Sequence, residues 1–254
     1  MIMKKIMLLL ALMPLVLFTA CSSDTNDDNI DTFTLSQKNV ELLYGGESEI
    51  TVNGVSANDC LLTSSDDFIA DASSYKGKIL VNGNHVGKAT ITISCKGRKI
   101  ELPVVVKPIA NYVGMPVVEF GADLSTIKKN ETSTINATYD GRIDYVDQSL
   151  TYSVYHRYFF NDGKLASVLS EIDIPNMTKE YRTFFIQVTK SLRERYTYLD
   201  AYKGQYQTIY LFTFKNKYYI GARDAGGNGG WYVYYAKTLD EVKEKLDIHP
   251  SIAI

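Results

Sequence analysis

Residues able to do chemistry are few in this chain, and they are scattered. His85, His156 and His249 stand far apart, and neither an HExxH nor a CxxC spacing occurs. A zinc site needs three or four ligands converging on one point, so isolated histidines leave little to build one from. Asp140, Asp144 and Asp147 form an acidic string around a turn, but without the full oxygen-ligand loop that calcium takes. A solvated turn is the simpler reading. No serine lies in a nucleophile-elbow sequence, and no nucleophile, base and electrophile stand together. The expectation is a chain without metal, cofactor or catalytic residues.

Two features invite a ligand instead. The chain holds 19 tyrosines against a single tryptophan. Tyrosine offers broad contact area, a hydroxyl and little rotamer cost. In addition, Asp224-Ala225-Gly226-Gly227-Asn228-Gly229-Gly230 interrupts two aromatic strands. It lacks the lysine and Ser/Thr of a phosphate loop and does not precede a helix. The candidate ligand contacts are Tyr219, Gly226, Gly227, Asn228, Gly229, Gly230, Trp231, Tyr232 and Tyr234, with Tyr155 a further exposed candidate. Each has a plainer reading: a flexible hairpin loop for the glycines, sheet–helix packing for the aromatics.

These residues must be held by elements, and 254 residues is room for one large domain or two modest ones. Net charge is -2, which argues against a strongly basic nucleic-acid binder. The first 20 residues read as neither domain. Lys4-Lys5 precedes an apolar run from Ile6 to Phe18, and Thr19-Ala20 leads into Cys21. A cationic start, an apolar segment and a small-residue exit form a secretory signal. The run is well short of the ~20 residues that span a bilayer.

Phe18-Thr19-Ala20-Cys21 resembles a bacterial lipobox, which implies lipid attachment at Cys21; Phe18 replaces the usual leucine. Ser22-Ser23-Asp24-Thr25-Asn26-Asp27-Asp28-Asn29 resembles the acidic export signal of Bacteroidetes surface lipoproteins. Residues 1–20 are thus expected to be a signal peptide and residues 21–29 a polar tether, with no apolar residue to bury. The implied location is the outer membrane, at the cell surface, with a lipid membrane as partner through the Cys21 acyl chain.

Residues 30–107 read as short alternating strands between turns. Ser48-Glu49-Ile50-Thr51-Val52 and Ala89-Thr90-Ile91-Thr92-Ile93-Ser94-Cys95 are the clearest. Such spacing favours a two-sheet sandwich. Leu43-Tyr44-Gly45-Gly46, Thr63-Ser64-Ser65-Asp66, Gly77-Lys78-Ile79 and the stretch from Gly87 to Ile93 resemble bacterial immunoglobulin-like domains, commonly spacers or adhesion modules. Cys60 and Cys95 both fall in expected strands, with Leu62 and Ile93 sharing their parity. Export permits a disulfide between them; two buried thiols fit the same pattern.

After a linker at 108–114 the composition shifts, with 16 of the 19 tyrosines following it. A short helix is expected over 124–130 with Asp123 or Ser125 as cap. Strands are expected near 142–145, 150–160 and 164–172, with Asn161-Asp162-Gly163 as a turn. Tyr181, Phe184, Phe185, Val188, Leu192, Tyr196 and Leu199 recur at helical spacing over 177–199. Strands near 208–214, 217–222 and 231–235 follow, then a closing helix whose Thr238 and Glu241 form a capping box. Residues 115–248 therefore read as an α+β domain with an antiparallel sheet and packed helices, before a tail at 249–254. Stretches from Pro116 to Ile127, from Tyr158 to Leu165 and from Trp231 to Tyr235 resemble segments of uncharacterised lipoproteins of gut Bacteroidetes.

The function expected is non-catalytic: surface binding or adhesion, with a glycan or an envelope protein as partner and no nucleic acid. An envelope hydrolase would need carboxylates such as Asp144 or Asp224 in a polar cleft. A structural accessory subunit of an envelope complex is the third reading. The leader generates a direct test. Mass spectrometry of the native N-terminus is expected to find diacylglycerol-modified Cys21, and a soluble mature chain beginning elsewhere would refute it.

Overall fold

The computed structural model describes residues 33–110, 114–148, 152–173, 181–203, 207–224 and 230–248, all within one compact unit. The leader, the tether with Cys21 and the 249–254 tail lie outside the described residues. The fold is mostly β and nearly all antiparallel.

The first part carries β1 (Thr34–Leu35), β2 (Val40–Leu43), β3 (Glu47–Ile50), β4 (Val52–Asn53), β5 (Leu61–Ser64), β6 (Ala70–Tyr75), β7 (Lys78–Gly83), β8 (Gly87–Cys95) and β9 (Arg98–Lys107). One sheet runs β2-β9-β8-β5 and another β3-β7-β6, while β1 pairs with β4. Only β2 and β9 pair in parallel among the described strands. Period-two alternation explains the core. Ala89, Ile91, Ile93 and Cys95 of β8 turn inward, as do Leu102, Val104 and Val106 of β9. Ile50, Ile79 and Val81 of the other sheet join them in one apolar cluster. Leu61 pairs with Ser94, which sets Cys60 opposite Cys95, and the two are joined as a disulfide. Closing a loop of 35 residues this way is worth about 3–4 kcal/mol in the chain-entropy account.

The second part is built as a helix and a four-strand meander, twice over, with a third helix closing it. Helix α1 (Leu124–Asn130) precedes β10 (Thr134–Tyr139), β11 (Arg142–Asp147), β12 (Ser153–Asn161) and β13 (Lys164–Asp173). Helix α2 (Tyr181–Arg193) precedes β14 (Thr197–Lys203), β15 (Thr208–Phe214), β16 (Tyr218–Asp224) and β17 (Gly230–Ala236). The meanders meet through their last strands, giving one eight-stranded sheet in the order β10-β11-β12-β13-β17-β16-β15-β14. Ile127 of α1 and Val188 and Leu192 of α2 cover one face, over Val154, Tyr158, Val168, Trp231, Val233 and Tyr235. Helix α3 (Leu239–Lys245) lies on the opposite face, with Val242 and Leu246 against Ile209, Leu211 and Tyr234.

Local signals place several ends. Asp123 Oδ1 accepts from Thr126 N at 2.9 Å, and Thr238 and Glu241 close a reciprocal capping box. Asp162 and Gly163 both take positive φ, as a tight two-residue hairpin requires. The expected helix over 177–199 is shorter at its C-terminal end. It stops at Arg193, Tyr196 N turns back to Leu192 O at 2.9 Å, and Leu199 stands exposed in β14. β10 and β14 were not anticipated. Both are sheet edges with largely exposed residues, so neither carries the apolar alternation that betrays a strand.

The two parts touch through a specific seam. Phe68 stacks on His85 with centroids 3.8 Å apart and meets Phe214 edge-on at 5.5 Å. Lys215 at the β15–β16 turn pairs with Asp66. The Glu194 carboxylate, fully buried after α2, accepts from Ile109 N at 3.0 Å and from Ala110 N at 3.0 and 3.1 Å. Its own carbonyl accepts from Val86 N at 2.8 Å. Replacing Glu194 with Ala strands the buried Ala110 N–H at about 1–3 kcal/mol and removes the partner of the part-buried Ile109 N–H. Urea unfolding of E194A is expected to show a loss of about 2–5 kcal/mol, against about 1 kcal/mol or less for Lys215→Ala.

Candidate functional site

The face of the eight-stranded sheet that α3 occupies is covered only in part. A seven-residue helix is about 10 Å long and reaches β15, β16 and β17, not the strands beyond. Its close seat depends on Gly221, where an added Cβ would stand 2.2 Å from Leu246 Cδ1 and 2.6 Å from Val242 Cγ1. Over β11, β12 and β13 the same face is open.

Register defines what stands there. Residues opposite one another on neighbouring strands share a face. One line across five strands reads Val146, Tyr155, Glu171, Tyr232 and Arg223. The adjacent line reads Asp144, Arg157, Leu169, Tyr234 and Gly221. Arg142 lies two residues before Asp144 and shares its side. These lines juxtapose charges. Arg157 pairs diagonally with Glu171 and lies 3.9 Å from Asp144 Oδ2 through Nε. Arg142 Nε lies 3.0 Å from Asp144 Oδ1, a charge contact outside hydrogen-bond alignment. Asp144 is thus a 5% exposed carboxylate between two guanidiniums. Arg142 also lies over the Tyr139 ring at 4.0 Å, and Arg223 over that of Tyr232 at 5.7 Å.

The surface between these side chains is concave. A depression of about 450 Å³ is lined by Asn136, Tyr139, Arg142, Asp144, Tyr155, Arg157, Glu171 and Asp173. A smaller one, about 160 Å³, continues toward α3 between Arg157, Leu169, Arg223, Tyr232, Tyr234, Lys245 and Leu246. A third, about 420 Å³, lies at the hairpin ends beside Asp140 and Asp162 and shares Tyr139 and Arg142 with the first. Tyrosine rings offer flat apolar area, the guanidiniums offer donors and the carboxylates acceptors. This equipment suits binding of a polar, ring-bearing ligand.

The ligand contacts expected from the sequence are largely displaced. Trp231 is 0% exposed in the core beneath α1 and α2, so it cannot stack on a sugar ring. Alternation along β17 turns it to the covered face. Tyr234 and Tyr219 do face the other side, but pack beneath α3. Gly230 is a buried β17 residue opposite Asp173. Gly226, Gly227, Asn228 and Gly229 lie outside the described residues. Tyr232 and Tyr155 stand on the open face. The aspartate string does not act together, because Asp144 and Asp147 point to opposite faces of β11 and Asp140 sits in the preceding turn. Among the described residues no group of three metal-ligating side chains converges. Arg142, Arg157 and Arg223 escaped the sequence reading. Each looks like an ordinary solvated strand charge, and only strand order collects them.

Below the sheet lies a separate polar network. His156, 1% exposed, bonds Ser170 Oγ through Nδ1 at 2.8 Å. Gly114 closes over its other side, where an added Cβ would be 3.3 Å from His156 Nε2 and 2.9 Å from Asp147 Oδ2. Tyr158 donates to Glu131 and accepts from Val117 N at 2.9 Å. The pairing of Ser170 with His156 resembles a nucleophile and its base, yet Ser170 is wholly buried. Its role is to satisfy polar groups inside the core. Burial pushes the His156 imidazolium down from its ordinary pKa, against the opposing pull of Glu131 and Asp147.

No protein-family model matches the chain, and no curated protein matches it. Solved structures of an S-layer protein do align with it. Domains 4 and 5 of SbsC match at 24% identity over 30% of this chain and 50% of that one, with a TM-score of 0.26. Domains 1–6 of SbsC match at 16% identity over 75% of this chain and 22% of that one, with a TM-score of 0.27. Domains 5–6 match at 17% identity over 80% of this chain and 95% of that one, with a TM-score of 0.28. The chain spans half or less of the first two. Superposition at this level places no residue of the open face.

The buried histidine makes stability depend on pH. His156 is held neutral in the folded chain below its ordinary value of 6.5. The unfolded chain therefore binds the proton first, and stability present above pH 6.5 is lost as pH falls toward the folded pKa. His85 shifts the same way by burial. Thermal unfolding between pH 7.5 and 5 is expected to show a falling Tm below about 6.5, and His156→Gln to flatten that fall. An unchanged slope in H156Q would place the effect elsewhere.

Proposed function

We propose that the protein is an exported cell-envelope lipoprotein that binds a glycan on the open half of its eight-stranded sheet. The observation that carries this reading is the line Tyr155, Glu171, Tyr232 and Arg223, flanked by Arg157 and Asp144, on a face that α3 leaves uncovered. Flat aromatic area beside paired donors and acceptors is what a sugar ring and its hydroxyls use. Among the described residues this face offers rings, donors and acceptors, the equipment of binding.

The export reading rests on the leader and on Cys21, and the Cys60–Cys95 disulfide supports it. Such bonds persist in oxidising compartments and are rare in the cytosol. In this reading the N-terminal sandwich is immunoglobulin-like, with its first long strand β2 parallel to its last, β9. It acts as a spacer between the membrane anchor and a C-terminal α+β domain, with the boundary at 108–114. The Glu194 bonds to Ile109 and Ala110 would make that spacer a held joint rather than a free linker.

A glycan array probed with the mature chain tests this. Binding to a restricted set of polysaccharides is expected, weakened about 3- to 10-fold by Tyr155→Ala or Tyr232→Ala, the worth of one aromatic contact. Absence of any glycan binding, or a protein partner captured through the same tyrosines, overturns the glycan reading.

A further inference from the structure

The open face is not uniform in charge, and the difference points to a ligand class. The larger depression is lined by two arginines and three carboxylates: Arg142, Arg157, Asp144, Glu171 and Asp173. The smaller one, toward α3, is lined by Arg157, Arg223 and Lys245 and by no carboxylate. Its remaining walls are Tyr232, Tyr234, Leu169 and Leu246. Arg157 is already paired with Glu171, so the uncompensated charge in this depression comes from Arg223 and Lys245.

The arginines are pre-oriented. Arg157 is held from one side by Glu171 and Asp144, and Arg223 lies over the Tyr232 ring. The Arg223 Nε is buried and has no hydrogen-bond partner among the described residues. A buried charged donor without a partner is costly, and an oxyanion in the depression would offset the charge of the guanidinium through space. The volume, about 160 Å³, is that of roughly five waters. It holds one anionic substituent and the edge of a ring, not a whole oligosaccharide.

We propose that the glycan is acidic, and that Arg157, Arg223 and Lys245 form a subsite for an oxyanion substituent, either carboxylate or sulfate ester. This rests on the glycan reading above. The neighbouring carboxylates Glu171 and Asp173 then accept hydroxyls of the same or the next ring, while Tyr155 and Tyr232 take the ring faces. The arrangement also sets polarity: the charged substituent lies toward α3 and the neutral part toward β11.

Affinity electrophoresis of the full chain in gels containing polygalacturonic acid, dextran sulfate or neutral dextran tests the subsite. The wild type is expected to be retarded by at least one of the two acidic polymers at least 10-fold more strongly than by dextran, with retardation falling as salt rises. Arg223→Gln with Lys245→Gln should remove 10-fold or more of that preference. Lys245→Gln alone, on an exposed position that cannot unsettle the fold, should remove part of it. Which acidic polymer responds separates carboxylate from sulfate. Lys128→Gln with Lys129→Gln, a pair exposed on α1 away from the site, should change nothing; an equal loss there means general charge attraction and overturns the subsite. Equal retardation by neutral and acidic polymers that is lost in Tyr232→Ala but kept in R223Q/K245Q overturns the subsite and leaves the platform standing. Retardation by none of the three overturns the subsite; an array that also shows no binding overturns both.

Discussion

The carboxylate of Glu194 is the joint on which the arrangement of the chain depends. It emerges from the end of α2, is buried completely, and accepts the backbone N–H groups of Ile109 and Ala110. The same turn binds the other side of the strap. Ser191 Oγ donates to Ala110 O at 3.2 Å, and the Arg195 guanidinium donates to Ser191 O at 2.9 Å. The main chain of Glu194 then receives Val86 N from the first part. One short stretch of α2 and its exit thus grips the strap that follows β9 and the sandwich before it. A buried carboxylate is tolerable only because backbone donors satisfy both of its oxygens. The Phe68, His85 and Phe214 rings and the Asp66–Lys215 pair fill the seam around it.

With that joint in place, the eight-stranded sheet has two unequal faces. On one, α1 and α2 lie over a core that includes four fully or nearly buried tyrosines: Tyr145, Tyr158, Tyr196 and Tyr235. Their rings meet edge-on, Tyr145 with Tyr158 at 5.6 Å and Tyr196 with Tyr235 at 6.3 Å. On the other, α3 is too short to cover more than half, and Gly221 lets it sit tight where it does. The uncovered half can tolerate solvent only if its residues are polar, and it carries arginines, carboxylates and tyrosine edges. Structural economy and a binding surface coincide here: the positions on that face that α3 leaves uncovered are the ones that present charge.

Part of this was legible from residue order. The caps at Asp123 and Thr238, the Asn161–Gly163 turn, the alternation in β8 and the apolar stripe through Val188 and Leu192 are local signals. Each is set by neighbours within one turn or one hairpin. The edge strands β10 and β14 were illegible because an exposed strand has no apolar alternation to show. Leu199 mimicked a helical position while belonging to β14. Trp231 shows the same limit on the functional side. Its place beside a glycine-rich loop invited a ligand, yet strand parity turned it inward.

By itself, the sequence determined the alternation that makes a β protein and the tyrosine-rich second part. These follow from composition and from contacts between near neighbours. Strand order, sheet face and pairing were decided only by the tertiary structure. Arg157 and Arg223 are 66 positions apart, and the balanced charge of the second part gives no hint that Arg157, Arg223 and Lys245 line one depression free of carboxylates. Their meeting depends on β13 lying beside β17, a pairing between the last strands of two meanders. That pairing comes from burying a common core under α1 and α2, a long-range requirement that no short window of residues records.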